Sequence, residues 1–429
     1  MSDSPLTLVL DTEDWNVSNL SECSLFIKDG THGTHKRTPT GIPLLSAKNV
    51  TASGKIKWDA NDSLVSEADY SKIHSKYELE KDDLLLTVVG TLGRRALVDG
   101  SAKLTIQRSV GVIRPDKNKV TPDFIFHFCG SDFFQNQLEL RANATAQAGV
   151  YLGELAKVPV PSPPLPEQKK IASILTSVDE VIEKTQAQID KLKDLKTGMM
   201  QELLTRGVGV DGKSHTEFKD SPVGRIPKGW EVAPISELCS HIVDCVNKTA
   251  PVVDYKTPYK MIRTTNVRHG RVDTENVRSV TKETYELWVR RLVPQKGDLI
   301  FTREAPVGEC GILQDERGVF LGQRTMMYRA DETKTSSHFL MYSLMSEYGK
   351  KQLDDFSGGS TVPHMRVPDC GKILVKIPPK NEQDLIVCSL KSVDAAITNK
   401  EAKLQKVNDT KKALMQDLLT GKVRVKVEG

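Results

Sequence analysis

The sequence predicts an α+β chain: two mixed α/β globular units related by pseudo-two-fold symmetry, with two long helices forming an antiparallel coiled coil. Three observations predict it. Glu167–Arg206 aligns without a gap on Glu382–Gly421, with 17 of 40 positions identical at an offset of 215 residues. Apolar residues in both stretches recur at threes and fours, the period of an amphipathic helix with a narrow seam. The segments upstream hold short apolar runs bounded by Gly and charged residues, which suits strands and tight turns. The same offset carries Trp15 to Trp230, Asp83-Leu84 to Asp298-Leu299, Thr87 to Thr302 and Gly93 to Gly308, so the repeat includes the globular units. A fused pair of this kind behaves as a symmetric dimer on one chain and suits a two-fold or bipartite target.

The elements follow in chain order. Residues 1–160 form the first globular unit, with a strand at Leu84–Val89 and a helix expected over Thr121–Leu140. Residues 161–207 form the first long helix, entered through Pro161-Ser162-Pro163-Pro164-Leu165-Pro166 and stopping near Gly207. Its apolar stripe runs Ile171, Ile174, Val178, Ile182, Ile189, Leu192, Leu195, Met199 and Leu203, with Val178, Ile182, Ile189 and Leu192 as seam residues. Gly198 interrupts this stripe, which is read as a bend, a close helix crossing or a tolerated defect. Residues 208–376 form the second globular unit, with a strand at Asp298–Thr302 and a helix over Ser336–Phe356. Residues 377–422 form the second long helix, its seam at Val393, Ile397, Leu404 and Val407, and residues 423–429 are a tail. Neither rod can bury a one-sided stripe alone, so pairing of the two is the preferred reading, antiparallel by pseudo-symmetry, with two separate helices capping their own domains as the alternative.

Composition narrows the class. No run approaches the ~18–20 apolar residues that span a bilayer, and Met1–Leu10 lacks the pattern of a signal peptide, so a cytoplasmic protein is expected. Seven scattered cysteines without CxxC spacing argue against a disulfide framework and a zinc site. The net charge of +4 does not by itself announce a nucleic-acid binder, so local clusters carry the reading.

Those clusters lie at corresponding loops and suit DNA, since Lys, Arg, His and Thr bond phosphate oxygens while Arg, Asn and Gln also read base edges. In the first unit they are Lys28, Thr31, His32, His35, Lys36, Arg37, Lys48, Asn49, Thr91, Arg94, Arg95, Arg108, Thr145 and Gln147. In the second they are Lys248, Arg263, Asn266, Arg268, Arg303, Arg324, Ser360, Thr361, His364 and Arg366. Like frames with unlike tips suggest two readers of different targets. No catalytic set emerges. His32 and His35 lack a third metal ligand at a recognisable spacing. Asp394, Glu401 and Lys403 imitate a nuclease set but fall on the second long helix, where they read as a solvated face. There is no GxxxxGK[ST] loop and no GxGxxG after a strand.

Across essentially its whole length the chain resembles the DNA-specificity subunit of type I restriction-modification systems. The residues carrying the resemblance are Asp29-Gly30-Thr31-His32, Gly41-Ile42-Pro43, Ala47-Lys48-Asn49-Val50 and Val89-Gly90-Thr91-Leu92-Gly93. They continue with Pro163-Pro164-Leu165-Pro166-Glu167-Gln168 and Gln201-Glu202-Leu203-Leu204-Thr205, repeated as Pro378-Pro379, Glu382-Gln383 and Gln416-Asp417-Leu418-Leu419-Thr420-Gly421. The second unit departs from the pattern at Asp244-Cys245-Val246. The resemblance implies two target recognition domains, each reading half of a bipartite DNA sequence, with the helices as spacer. It implies a non-catalytic chain, two partner methyltransferase subunits that bind S-adenosylmethionine and methylate adenine, and restriction/translocase subunits joining them in a bacterial or archaeal cytoplasm. Outer helix positions, including Ile174, Leu175 and Val181, would then dock partner helices. A fused DNA-modifying enzyme and a coiled-coil adaptor binding only proteins are the alternatives.

Overall fold

The computed structural model of the protein describes residues 10, 12–143, 148–209, 212–358 and 363–426. The chain divides into two compact units, Met1–Ala187 with Glu401–Gly429, and Gln188–Lys400. Each long helix contributes to both: Leu165–Leu203 begins in unit 1 and ends in unit 2, and Lys380–Leu419 does the reverse.

Unit 1 is built on an antiparallel sheet ordered Ser24–Asp29, Val110–Pro115, Leu84–Thr87, Arg95–Leu97. The strand Leu84–Thr87 is apolar at consecutive positions because both of its faces are covered. Leu84 and Leu86 enter the main core with Phe124, Phe128 and Ile171, while Leu85 enters a smaller core with Leu45, Ile106 and Val112. Leu45 and Ile106 belong to a second sheet ordered Leu64–Val65, Ile42–Leu45, Thr105–Ile106. A short antiparallel pair, Asn16–Asn19 with Pro159–Ser162, leads into the long helix. There the buried Glu167 accepts the Trp15 indole N–H at 3.2 Å and a two-pronged contact from Arg424 at 2.8 and 2.9 Å. Gln168, fully buried, accepts the Thr121 N–H and donates to the Lys119 and Pro163 carbonyls. The Glu-Gln pair at the helix entry is therefore a set of satisfied buried polar anchors, which explains why it recurs in both halves.

Unit 2 repeats this frame with some partners exchanged. Its sheet runs Cys239–Asp244, Thr325–Ala330, Leu299–Arg303, Val307–Ile312, extended by Gly270–Val272 and Val267–Arg268. Trp230 donates to Glu382 at 3.0 Å, and Gln383 donates to the Lys334 and Pro378 carbonyls. The pair Arg114–Asp83 becomes Arg329–Asp298, with Nε–Oδ1 at 2.8 Å in both. Where unit 1 uses Arg424 on its buried Glu, unit 2 uses His215 Nε2 at 3.0 Å and the Val208 N–H at 2.9 Å.

The long helices follow a strict heptad seam. Val178, Ile182, Thr185, Ile189, Leu192, Lys196, Met199 and Leu203 alternate steps of four and three, and all are buried or half-buried. In the second helix Val393 and Ile397 are buried and Leu404 and Val407 half-buried. Within unit 1 Asp179 meets Lys411, and within unit 2 Gln188 meets Lys400 and Lys196 meets Asp394 at 2.7 Å, so the partner number falls as the first helix advances and the segments run antiparallel. These two ion pairs are copies of one another at the 215-residue offset. A third element joins each: in unit 1 His127 Nδ1 lies 3.8 Å from Asp179, and in unit 2 the Tyr342 hydroxyl donates to Asp394 at 2.7 Å.

Several expectations are corrected. The stripe position given to Leu195 belongs to Lys196: Leu195 is exposed, and the lysine stem reaches Asp394 from the seam. Gly198 is exposed with open space where a Cβ would stand, so it marks no close crossing. Asp394 is only partly solvated, since Lys196 and Tyr342 engage its carboxylate. Leu175 is fully buried in the unit 1 core and Ile174 packs against that core, leaving only Val181 of the three outer positions exposed. Each helix expected upstream of the long ones is two helices, Pro122–Phe128 with Asp132–Arg141 and Ser337–Met345 with Glu347–Ser357. Ser131 and Ser346 break them by capping the following helix through their hydroxyls. A Cβ on Gly130 would sit 1.9 Å from the Arg95 guanidinium, so a larger residue at the first corner would have to displace that side chain.

Candidate nucleic-acid interface

In unit 1 the sheet ends where five loops and turns meet. The strand Ser24–Asp29 runs into Gly30 and Thr31, whose N–H groups bond the Val110 and Ile106 carbonyls at 3.0 and 2.9 Å. Arg108 returns an N–H to the Thr31 carbonyl at 3.1 Å, tying the turn Gln107–Ser109 to the loop after Asp29. The Ser109 hydroxyl accepts the Ala47 N–H, which draws in the short 3-10 turn Ala47–Asn49. Val89 bridges Gly149, bringing the turn after Thr87 against the loop that follows Arg141. Thr31, His32, His35, Lys36, Arg37, Thr91, Arg94 and Arg108 therefore belong to one cluster of loops.

Within it the histidines have separate partners: His35 Nε2 lies 2.6 Å from the Thr31 hydroxyl, and His32 Nε2 pairs with the Asp29 carboxylate. Lys36, Arg37 and Arg108 are exposed and have no carboxylate partner among the described residues; Arg37 touches only the His35 carbonyl, at 3.2 Å. Lys28 stands over the rings of Phe26 and Tyr77, 4.7 and 4.5 Å from their centroids, at the side of this cluster. Lys48 is exposed and ion-paired with Asp62, whose carboxyl it holds down at about 2 as the first of several contacts.

Three candidates turn out to be structural. Arg95 leaves its strand on the face opposite Arg94 and donates to the Phe126 carbonyl at 2.6 Å, stacked on that ring; burial lowers its pKa. Asn49 is buried, with Oδ1 accepting the Ser46 N–H and Nδ2 donating to the Lys57 carbonyl. Asn266 does the same in unit 2, accepting from the Arg263 N–H and donating to the Asn276 carbonyl. Each closes its own loop and offers nothing to a base edge.

Unit 2 presents the same loop ends with different side chains. The Cys245 N–H bonds the Thr325 carbonyl as Gly30 bonds Val110, and Gly322 bonds Ile262 as Gln107 bonds Leu45. Arg303 is consumed internally, Nε on Asp244 at 2.9 Å and Nη1 on the Met365 carbonyl at 3.0 Å. Arg268 donates back to the Thr264 and Val267 carbonyls, and the Arg263 Nε is buried without a partner among the described residues. Lys248, Arg324, His364 and Arg366 are the exposed or half-exposed members; His364 bridges Glu304, and Arg366 leans on Asp369. Thr145, Gln147, Ser360 and Thr361 lie outside the described residues. One residue at this end escaped the sequence reading: Tyr151, at the N-terminus of the helix Leu152–Leu155, is 70% exposed and corresponds to Arg366. Nothing in sequence distinguishes such a tyrosine from a core aromatic.

Among the described residues no cluster of three His, Cys, Asp or Glu is placed to hold a metal ion, and no helix is long and apolar enough to cross a membrane. The family model described as type I restriction modification DNA specificity domain matches residues 13–194 and again 227–409. The chain belongs to this family. The type I restriction enzyme MjaVIII specificity subunit of Methanocaldococcus jannaschii is 32% identical over 352 residues, 81% of this chain and 80% of that one. The type I restriction enzyme EcoBI specificity subunit of Escherichia coli is 20% identical over 397 residues, 89% of this chain and 80% of that one. Among solved structures, the type I restriction-modification S subunit from M. genitalium superposes with a TM-score of 0.59 at 13% identity, covering 95% of this chain and 97% of that one. A chain from a study of complex assembly in the type I R-M system gives 0.53 at 18% identity, covering 98% and 100%. These likenesses show that the fold is that of type I specificity subunits, with a DNA specificity domain matched once in each half.

Proposed function

We propose that each unit of this specificity subunit reads one half of a bipartite duplex DNA target through the loops at the end of its sheet. The observation that carries this reading is the repeat itself: the two units share backbone bonds at those loops while the side chains there differ, as two readers of unlike sequences require. The chain does no chemistry of its own. Two methyltransferase subunits dock on the long helices, bind S-adenosylmethionine and methylate adenine, and restriction/translocase subunits join them in the cytoplasm of a bacterium or archaeon. The helices set the spacing between the half-sites.

A domain exchange tests it. Residues 1–160 are replaced by the matching unit of a relative, and methylated adenines are mapped in cells that carry the partner subunits. One half of the recognised sequence changes and the other persists. A change in both halves, or in neither, refutes independent reading.

A further inference from the structure

One arginine of unit 2 is arranged unlike the other cations at its loop end. Arg324 ends the turn between the strands Val319–Leu321 and Thr325–Ala330, with φ at 68°, a region that residues bearing a Cβ enter at a cost. Its carbonyl accepts the Arg303 N–H at 2.8 Å, which fixes it beside the end of the neighbouring strand. Its side chain is 52% exposed, and Nε lies 3.3 Å from the Glu304 carboxylate. Glu304 is itself held in place by its backbone bridge to His364. Neither Nη1 nor Nη2 of Arg324 has a hydrogen bond among the described residues, so one edge of the planar fork is steadied and two parallel donors are open.

We propose that Arg324, positioned by Glu304, reads a guanine in the half-site taken by unit 2; this rests on the function proposed above. Two parallel N–H donors match the O6 and N7 acceptors that guanine shows in the major groove. A phosphate would accept the same fork, but the adjoining Glu304 carboxylate repels a full phosphate charge more than the partial charges of a neutral base edge. Arg303, whose Nε and Nη1 are engaged within the unit, is no rival. At the 215-residue offset unit 1 has Ser109 and Val89 in place of Arg324 and Glu304, so the device belongs to one half of the target only.

The test is selection from a randomised duplex library by the full chain purified with its co-expressed partner subunits. The wild-type complex selects a bipartite sequence with guanine at one position of the half-site that persists when residues 1–160 are exchanged. Arg324→Ala lowers preference for that base by roughly 5- to 150-fold and leaves the other positions intact. Glu304→Gln, which keeps the guanidinium but loosens it, lowers preference at the same position by less. Unchanged preference in both variants overturns the proposal while the bipartite reading stands. So does a loss by Arg324→Ala that is equal for all sequences and is restored by Arg324→Lys, the mark of a phosphate contact. If the Ala variant melts below the wild type by more than a few degrees, Glu304→Gln decides alone. A wild-type complex that selects no sequence refutes the functional reading and this proposal with it.

Discussion

Lys36, Arg37 and Arg108 supply the most direct test of where DNA lies against unit 1. The three share one hydrogen-bonded loop end, and no carboxylate neutralises any of them among the described residues. If each meets one phosphate, each adds about 0.9 to the slope of log K against log salt. Changing all three to Ala then lowers that slope by about 2.7. Between 50 and 200 mM salt, a fourfold change, the wild type loses ~40-fold more affinity than the triple variant, since four to the power 2.7 is about 42. The loss falls equally on target and non-target duplexes, because a phosphate carries no sequence. The assay is fluorescence anisotropy on both duplexes at several salt concentrations, using the chain with its partner subunits. An unchanged salt slope, or a loss confined to particular sequences, refutes the placement.

Three further outcomes are expected. Removing one heptad from each long helix at matched positions, within 185–196 and 394–405, keeps the seam in register and shortens each rod by ~10 Å; methylation maps then show a shorter spacer between unchanged half-sites, and an unaltered spacer rejects the ruler. Arg424→Ala leaves the buried Glu167 with the Trp15 N–H as its remaining side-chain partner. The arginine is itself 38% exposed, so solvent tempers the cost to about 1–3 kcal/mol, read as a lowered melting temperature in calorimetry and absent if the contact is ornamental. Finally, burial, aided by Lys411 and Arg95, holds the pKa of His127 down at about 3 against an ordinary 6.5. The unfolded chain therefore takes up this proton first, so stability is present above pH 6.5 and is lost as pH falls toward 3, at up to ~1.4 kcal/mol per pH unit. His127→Gln keeps a polar side chain near Thr176 and flattens the denaturation midpoint between pH 6.5 and 5; an identical slope in both proteins counts against the assignment.

Much of the fold is legible in sequence because it is written twice. The matched Trp, Glu and Gln positions, the heptad seam and the offset of 215 residues depend on local period and on self-comparison, which need no coordinates. Side-chain availability at the loop ends is another matter. Arg94 and Arg95 are neighbours in sequence, yet strand alternation sends one to the loop cluster and the other onto Phe126. Arg303 and Arg324 read alike in sequence, but a carboxylate 59 residues away engages the first while Glu304 merely steadies the second. Asn49 and Asn266 look like base readers until their buried bonds to Lys57 and Asn276 are seen. The split of each expected helix at a serine cap follows the same logic, since an amphipathic period continues through a corner that only packing requires. Self-comparison and periodicity determined the repeat, the two long helices and most of their seam, Lys196 excepted. Which cations remain free for a ligand was decided by partners distant in the chain, because the electrostatic and hydrogen-bonding appetite of a polar group is met by whatever tertiary structure places beside it.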